Sequence, residues 1–295
     1  MILAMNAYPP EILARLQREL LSILDEIAAV CERHGIEWFL TGGSSLGAVR
    51  HKGMIPWDDD IDIGMVRPEY ERFLEVAADE LPKTLAVLEP RYTPNYAPMF
   101  AKICRRGTRF YTQETIDAGL EMGIAIDVFP HDYISSNPAV RKRQYRGAVR
   151  TTQASYLLHS PSVSRNFTGA AAVVLPPAFK VAHFVLKHTT NEQALRKRFA
   201  NAIHLDENEP VDGLTAFGHP YFKSLPIDLF VPPRECEFDG RRAFIPNQCE
   251  LYLDDHFGSN WNELPPVEKR KTHAPLILDF GDGINALADN AQSPA

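Results

Sequence analysis

An acidic run inside a strand-like segment constrains this chain more than any other feature of its sequence. The run consists of four aspartates and two isoleucines: Asp58, Asp59, Asp60, Ile61, Asp62 and Ile63. Carboxylates beside buried apolar side chains cost free energy unless a cation offsets their charge. The segment therefore predicts a strand that holds a cation on one face.

The alternation of side chains along a strand divides these aspartates into two sets. A strand over residues 57–65 places Asp58, Asp60 and Asp62 on one face and Asp59 on the other. Asp60 and Asp62 are the predicted metal ligands. Asp58 lies at the strand entrance and is expected to support them, whereas Asp59 is expected to be structural.

A later segment supplies a third carboxylate. Residues 123–129 have the sequence GIAIDVF, which is typical of a buried strand and includes Asp127. Magnesium and similar cations prefer oxygen ligands and keep water or substrate phosphates in their other positions. Asp60, Asp62 and Asp127 are therefore the predicted catalytic carboxylates and the predicted ligands of Mg²⁺ or Mn²⁺, in a site for metal-assisted phosphoryl or nucleotidyl transfer.

A turn of small residues precedes the acidic run. Gly42, Gly43 and Ser44 follow a predicted strand over residues 36–41 and lead into a predicted short helix over residues 44–51. Backbone N–H groups at such a helix start bind phosphate well, so these three residues are predicted to hold the phosphates of a donor. A Gly-Gly pair taken alone is more often only a turn.

Basic residues are predicted to assist in binding the donor. Arg50, His51 and Lys52 lie between the turn and the acidic run and could neutralise phosphate charge, although such a run is often a solvated surface. Lys102 and His273 are predicted to make further contacts with the donor or the acceptor.

Composition limits the class of protein. The chain has 295 residues, 45% of them hydrophobic, and a net charge of −7, so a general nucleic-acid-binding surface is not expected. Four cysteines without a CxxC pair give no support for a structural zinc site and favour a reducing cytoplasm. The first residues do not have the pattern of a signal peptide.

Periodicity predicts the main elements. Apolar residues at helical spacing from Leu13 to Val30 predict an amphipathic helix that ends at Gly35. Residues 99–112 are expected to form a hairpin, and the strand over 123–129 is expected to close at Pro130. Four regions follow from these patterns: a core over residues 11–134, a mainly helical region over 138–210, a segment over 211–280 that completes the site, and a flexible tail over 281–295.

Two long motifs resemble those of a known family. The segment GGSSLGAVRHKGMIPWDDDIDIGM over residues 42–65, followed by RPEYERF, resembles the signature of the LicD family, which is related to fukutin and the fukutin-related protein. The resemblance continues in IAIDVFPHD and from Tyr252 to His273. It implies an α+β fold with a nucleotidyltransferase-like core, in which a small mixed sheet is flanked by helices, together with a helical insertion and a C-terminal α/β extension.

The resemblance also implies a reaction. The family transfers a phospho-alcohol group, such as phosphocholine or a polyol phosphate, from a CDP-activated donor to a sugar hydroxyl of a surface glycan and releases CMP. Asp60 and Asp62 match the metal aspartates of the family, and Asp127 matches its later acidic residue. Gly42, Gly43 and Ser44 match its small-residue turn, although the family more often has Thr in the third place.

Two alternative functions share the same residues. An ordinary nucleotidyltransferase would attack the α-phosphorus and release pyrophosphate, and a binding protein on the same fold would hold metal or glycan without turnover. The acceptor is expected to be a glycan, and in one version of this expectation the glycan is attached to a lipid. The uncharged segment over residues 166–179 is too short to span a bilayer and is expected to be either an interfacial segment or part of the core. The protein is expected to be cytoplasmic, with peripheral contact at the inner face of the membrane as one version of this expectation.

Overall fold

A computed structural model describes residues 8–162, 170–218, 223–270 and 272–288, so the predictions for residues 166–179 and for the tail lie partly outside the described residues. The helices are α1 (Pro10–His34), α2 (Gly42–His51), α3 (Arg67–Glu80), α4 (Gln113–Ala118), α5 (Pro138–His159), α6 (Ala170–Thr189), α7 (Glu192–Ile203), α8 (Ile227–Phe230) and α9 (Cys249–Phe257). The strands are β1 (Phe39–Leu40), β2 (Asp62–Val66), β3 (Leu85–Leu88), β4 (Ala101–Arg105), β5 (Arg109–Tyr111), β6 (Ala125–Ser135), β7 (Val211–Thr215), β8 (Arg234–Phe238), β9 (Arg241–Ile245) and β10 (Ile277–Asp279).

The central sheet is mixed and is flanked by helices. Its strands lie in the order β1-β2-β6-β4-β3, and β7 pairs with the far end of β6. Strands β2 and β6 are parallel, whereas the other pairs in this sheet are antiparallel. The predicted α+β class, with a small mixed sheet between helices, is confirmed.

Helix α1 has the amphipathic pattern that its sequence predicts. Its apolar stripe includes Leu16, Ile23 and Ile27, which are completely buried in the main core. Gly35 ends the helix in the left-handed conformation, with φ of 58°, and its N–H bonds to the carbonyl of Glu32. A side chain with a Cβ rarely adopts this conformation, which explains the glycine.

Strand β2 begins at Asp62, five residues later than the sequence predicts. The preceding residues instead form an irregular segment, in which the N–H of Asp58 donates to the carbonyl of Ile55 at 2.9 Å. The Gln17 side chain, from α1, donates to the carbonyls of both Ile55 and Asp58. This contact from a distant helix uses the backbone groups that a strand partner would need, so the predicted strand over residues 57–61 is wrong.

Strand β6 continues through Pro130 rather than ending there. The N–H of Asp127 donates towards β2, to the carbonyl of Ile61, so the nitrogen of Pro130, three residues further, faces the opposite side. On that side β4 pairs only as far as Val128, and β7 begins to pair at Asp132. The missing N–H of proline therefore falls in the gap between two partner strands, where no hydrogen bond is lost.

The hairpin predicted over residues 99–112 is also wrong. Strand β4 lies between β3 and β6, and β5 pairs with β10 near the end of the described chain. The region over residues 138–210 is mainly helical, as predicted, and α5 and α7 pack around a small second core that includes Leu158 and Phe199. Within the described residues, none of the helices combines the length and the apolar character that a transmembrane helix requires.

The segment after α7 returns to the sheet and then to the site. Strands β8 and β9 form a hairpin around Asp239 and Gly240, and α9 follows them. After β10, the Asp279 carboxylate accepts hydrogen bonds from the N–H groups of Gly281, Asp282 and Gly283. Residues 281–288 of the predicted tail thus form a hydrogen-bonded turn in the described structure.

Candidate active site

The start of α2 lies directly against two of the carboxylates. Gly42 opens the helix with φ of 54°, a conformation that favours glycine. A Cβ added to Gly42 would lie 3.5 Å from Asp62 Oδ2, and one added to Gly43 would lie 3.1 Å from Asp58 Oδ2. The two glycines therefore allow carboxylate oxygens to approach the backbone at the helix start.

A tyrosine from α9 fixes this helix start in place. The Tyr252 hydroxyl accepts a hydrogen bond from the N–H of Gly42 at 2.8 Å and shares another with Thr41 Oγ1 at 2.8 Å. The ring of Tyr252 is buried in the main core. The segment around residue 252 thus completes a site whose other parts lie 210 residues earlier.

Asp62 and Asp127 occupy matching positions on neighbouring parallel strands. The two residues are register partners in the β2–β6 pair. The N–H of Asp62 donates to Ser44 Oγ at 2.9 Å, so the Ser44 hydroxyl is directed at the strand. The structure therefore brings together two carboxylates that are separated by 65 positions in the sequence, as the motif predicts.

The carboxylates repel one another, and their pKa values rise. Burial raises the pKa of Asp62 well above its usual range, and the charges of Asp60 and Asp127 raise it further. Burial, followed by the charge of Asp60, raises the pKa of Asp58 to about 8. Burial also raises the pKa of Asp60, although the neighbouring His273 opposes this shift. Such a set of crowded oxygen donors suits a hard divalent cation, which would offset the repulsion.

Among the described residues, one group brings its ligand atoms close enough together to hold a metal ion, and it differs from the predicted set of Asp60, Asp62 and Asp127. Asp59, Asp60 and His273 each place one ligand atom within 4.8 Å of the others, a spacing that a metal ion could bridge. Asp59 is almost completely buried, and its carboxylate accepts hydrogen bonds from the Tyr8 hydroxyl at 2.8 Å and from the backbone N–H of His273 at 2.9 Å. The structure is thus compatible with a divalent metal ion at Asp60, and these contacts do not specify which ion.

His273 carries positive charge within the acidic group. Its Nδ1 lies 3.6 Å from Asp60 Oδ2 and 3.7 Å from Asp59 Oδ1. Hydrogen bonding to Asp59, together with the negative charges of Asp60 and Asp59, raises the pKa of His273 to about 9, although burial opposes this. The imidazolium is therefore available to neutralise negative charge on a substrate.

Lys102 lies beside Asp127 on the neighbouring strand. The two residues are register partners of β4 and β6, and the Lys102 ammonium forms an ion pair with the Asp127 carboxylate. Their side chains are only 17% and 19% exposed. Lys102 is therefore part of the site, and Asp127 is its partner.

The structure separates the basic run from the carboxylates. Arg50 and His51 lie in the last turn of α2, which at ten residues is about 15 Å long, and Lys52 follows as its left-handed cap. The Arg50 guanidinium donates to the carbonyls of Trp261 and Glu263. These three residues thus lie at the end of α2 opposite Gly42 and are not among the residues that line the two cavities described below. That they bind the donor therefore stays a prediction.

Two cavities meet at Asp60 and His273. The larger, about 880 Å³, is lined by the start of α2 and by Asp58, Asp60 and Asp62. The smaller, about 350 Å³, contains Lys102 and Asp127. Its aromatic lining consists of Tyr96, Phe100, Phe110 and Tyr156. The acidic group thus lies between two cavities, each of which could receive part of the reacting substrates.

The larger cavity has walls that the sequence did not predict. It is also lined by His131, Lys223, Tyr252 and His256. Tyr252 and His256 fall in the segment from 252 to 273 that carries the family resemblance, which was the available signal for them. His131 falls in the segment IAIDVFPHD, which also carries the family resemblance, whereas Lys223 had no signal in the sequence.

We expect Tyr252→Phe to reduce the free energy of unfolding by about 1–3 kcal/mol, because loss of the hydroxyl leaves the N–H of Gly42 and the hydroxyl of Thr41 without this partner. Urea unfolding measures the change. Tyr92→Phe is the control, because that side chain is 81% exposed and its substitution should change little. Equal stability of the two variants would show that the Tyr252 hydroxyl does not hold α2.

Comparison with known proteins gives matches across most of the chain. Residues 35–174 match the family model described as LicD/FKTN/FKRP, nucleotidyltransferase domain. The chain is 29% identical over 265 residues to lipopolysaccharide cholinephosphotransferase LicD of Haemophilus influenzae, a match that covers 86% of this chain and 92% of that protein.

A shorter match concerns two animal proteins. The chain is 49% identical over 39 residues to ribitol 5-phosphate transferase FKRP of Homo sapiens and to the protein of that name from Mus musculus. These matches cover 13% of this chain and 8% of each relative. The similarity to FKRP is therefore confined to a short segment, whereas the similarity to LicD extends over nearly the whole length of both proteins.

Proposed function

Because the chain carries a LicD-family domain, we propose that it is a phosphotransferase that moves a phospho-alcohol group from a CDP-activated donor to a sugar hydroxyl of a cell-surface glycan and releases CMP. The alcohol is a choline or a polyol, since the names of the two kinds of relative specify cholinephosphate and ribitol 5-phosphate transfer. One observation carries the proposal. Asp62 and Asp127 pair in register on parallel strands beside the start of α2.

A divalent cation, Mg²⁺ or Mn²⁺, fits the donor set of the site. Asp60, Asp62 and Asp127 would hold it, and the raised pKa values of Asp60 and Asp62 support this because they reflect burial of these carboxylates together with repulsion from neighbouring ones. Such a cation neutralises negative charge on phosphate oxygens when it is bound. The group of Asp59, Asp60 and His273 offers an adjoining position only when the imidazole of His273 is neutral, because a protonated imidazole cannot bind a metal ion.

The protein's own groups bind and orient the substrates. The start of α2, with its positive helix-dipole end, faces the larger cavity and is suited to donor phosphates. His273 places positive charge between the two cavities, where it can stabilise the departing CMP. Asp127 lies in the smaller cavity and is positioned to accept the proton of the attacking hydroxyl.

The two cavities suit a displacement in line. Phosphoryl transfer requires the attacking and leaving oxygens on opposite sides of the phosphorus. The larger cavity has room for the nucleotide, and the smaller one, which shares Asp60 and His273 with it, could receive the acceptor hydroxyl. Since Lys102 is paired with Asp127, it can hold that carboxylate towards the acceptor.

The test is a panel of activated donors. The full chain is incubated with Mg²⁺ and CDP-choline, CDP-glycerol or CDP-ribitol, with and without candidate glycans, and released CMP is measured by chromatography. We expect CMP from at least one donor, with a rate that increases when the acceptor is present. Absence of CMP with every donor and acceptor would contradict the proposal.

The alternatives predict different products. An ordinary nucleotidyltransferase would use the same carboxylates but a nucleoside triphosphate such as CTP as donor, and it would release pyrophosphate, which a pyrophosphatase-coupled assay detects. A binding protein would retain glycan affinity and turn over none of the donors. We propose that the reaction takes place in the cytoplasm, at the inner face of the membrane, where a lipid-linked glycan would be the acceptor.

A further inference from the structure

Helix α6 has an apolar face that points outwards. The side chains of Val181, Phe184 and Val185 are 64%, 63% and 48% exposed. Their spacing of three and four residues places them on one side of the helix. The opposite side faces the protein, because His183 Nδ1 bonds to the carbonyl of Leu157 in α5 at 2.7 Å and Leu186 packs on the second core. Within the described chain, the outward face has no covering element.

Positive charge borders this apolar face. Lys180 and Lys187 are exposed, and their spacing of seven residues places them together on one flank of the strip formed by Val181, Phe184 and Val185. The sequence from residue 133 to residue 191 contains eight lysines and arginines and no aspartate or glutamate, in a chain whose net charge is −7. A partner for this face must therefore accept apolar side chains and carry negative charge.

An anionic bilayer meets both requirements. Interfacial helices bury an apolar face at the boundary between headgroups and acyl chains, while lysines at the edges contact anionic headgroups. Residues 180–187 have this arrangement, because they combine an exposed apolar strip with two exposed lysines on its flank. We infer that the outward face of α6 is a docking surface for an anionic lipid bilayer.

The location of α6 connects this surface with the site. Leu157, which bonds to α6 through its carbonyl, is next in the chain to Tyr156, and Tyr156 and His159 line the smaller cavity. A bilayer on the outward face of α6 would thus be separated by about one helix diameter, roughly 10 Å, from the helix that lines this cavity. This part of the inference rests on the proposed function. It implies that the glycan acceptor is lipid-linked and that the protein reaches this acceptor from the membrane.

Sedimentation with vesicles tests the docking surface. The full chain is mixed with vesicles of phosphatidylcholine alone or with 30% phosphatidylglycerol, and the bound fraction is measured at low and high salt. We expect binding to the anionic vesicles that weakens with salt. The triple variant Val181→Ser, Phe184→Ser, Val185→Ser should lose at least about tenfold in partition coefficient.

Two further variants separate charge from general surface effects. Lys180→Gln with Lys187→Gln should weaken binding to anionic vesicles by about tenfold or more and leave any binding to neutral vesicles unchanged. Tyr92→Ser, at a side chain that is 81% exposed elsewhere on the protein, should bind like the wild type. Circular dichroism confirms that each variant is folded.

Three outcomes would overturn the inference. The wild type could remain in the supernatant with anionic vesicles, or the triple variant could bind as well as the wild type. Light scattering could also show a dimer that the triple variant dissociates, which would assign the face to a second copy of the chain. CMP release from a soluble donor, measured on the triple variant, is independent of these results and keeps a failure of membrane docking distinct from a failure of the proposed function.

Discussion

Asp62→Asn is expected to lower the rate of CMP release by about 10³-fold or more, because it removes a charge on which the proposed electrostatic stabilisation depends. The change is nearly isosteric. It also leaves the backbone hydrogen bond from Asp62 to the Ser44 hydroxyl in place. The rate is measured with the donor that gives most CMP in the wild type.

The same substitution should not destabilise the fold. Burial and the charges of Asp60 and Asp127 raise the pKa of Asp62, so the folded chain binds this proton more tightly than the unfolded chain. The contribution of this group to stability therefore decreases as pH rises above the unfolded pKa. At neutral pH an uncharged asparagine avoids this penalty, and the Tm of the variant in EDTA should equal or exceed that of the wild type.

A thermal-shift experiment with metal distinguishes loss of the ion from loss of structure. Mg²⁺ or Mn²⁺ should raise the Tm of the wild type, and the shift should be smaller for Asp62→Asn. Asp206→Asn is the control, because the Asp206 side chain is 88% exposed. A near-normal rate with an unchanged metal shift in Asp62→Asn would rule out the role proposed for this carboxylate.

Lys102→Met is expected to cause the largest loss of stability, about 2–4 kcal/mol, because it leaves the Asp127 carboxylate without its ion-pair partner in a mostly buried position. Met has a similar length, so the change in packing is small. Urea denaturation gives the free energy of unfolding. The variant should also lose activity, since Asp127 is no longer held in position.

The double variant Lys102→Met, Asp127→Asn separates stability from catalysis. Removing both charges should restore most of the lost stability, because neither partner is then left unpaired. Activity should remain absent, because the carboxylate proposed to accept the proton is missing. Additive losses of stability in the double variant would show that the two residues do not form the pair seen in the structure.

Local patterns predicted the elements that depend on local chemistry. Helix α1 follows from its apolar periodicity and from Gly35, which the left-handed cap requires. The proximity of Asp62 and Asp127 also followed from the sequence, because each carboxylate interrupts an apolar strand segment and the two strands pair. These features needed only short stretches of chain to be recognised.

Long-range contacts determined what the sequence could not predict. Gln17 prevents a strand at residues 57–61 by binding the carbonyls of Ile55 and Asp58, and nothing in the acidic run indicates this. Pro130 is tolerated within β6 because β4 and β7 leave a gap on its side. In the site, Lys223 reaches the cavity through the fold of the last third of the chain, which has no local signal at that position, and Tyr252 was indicated only by the family resemblance.

The hydrogen bonds of Asp59 set an order for the completion of the site. Its carboxylate binds the Tyr8 hydroxyl and the backbone amide of His273, which lie 51 residues before it and 214 residues after it. Because a chain is synthesised from its N-terminus, Tyr8 and the acidic run leave the ribosome long before residue 273 has been made. The sheet can form in the meantime, but Asp59 gains its second partner, and Asp60 its neighbouring imidazole, only at a late stage of translation.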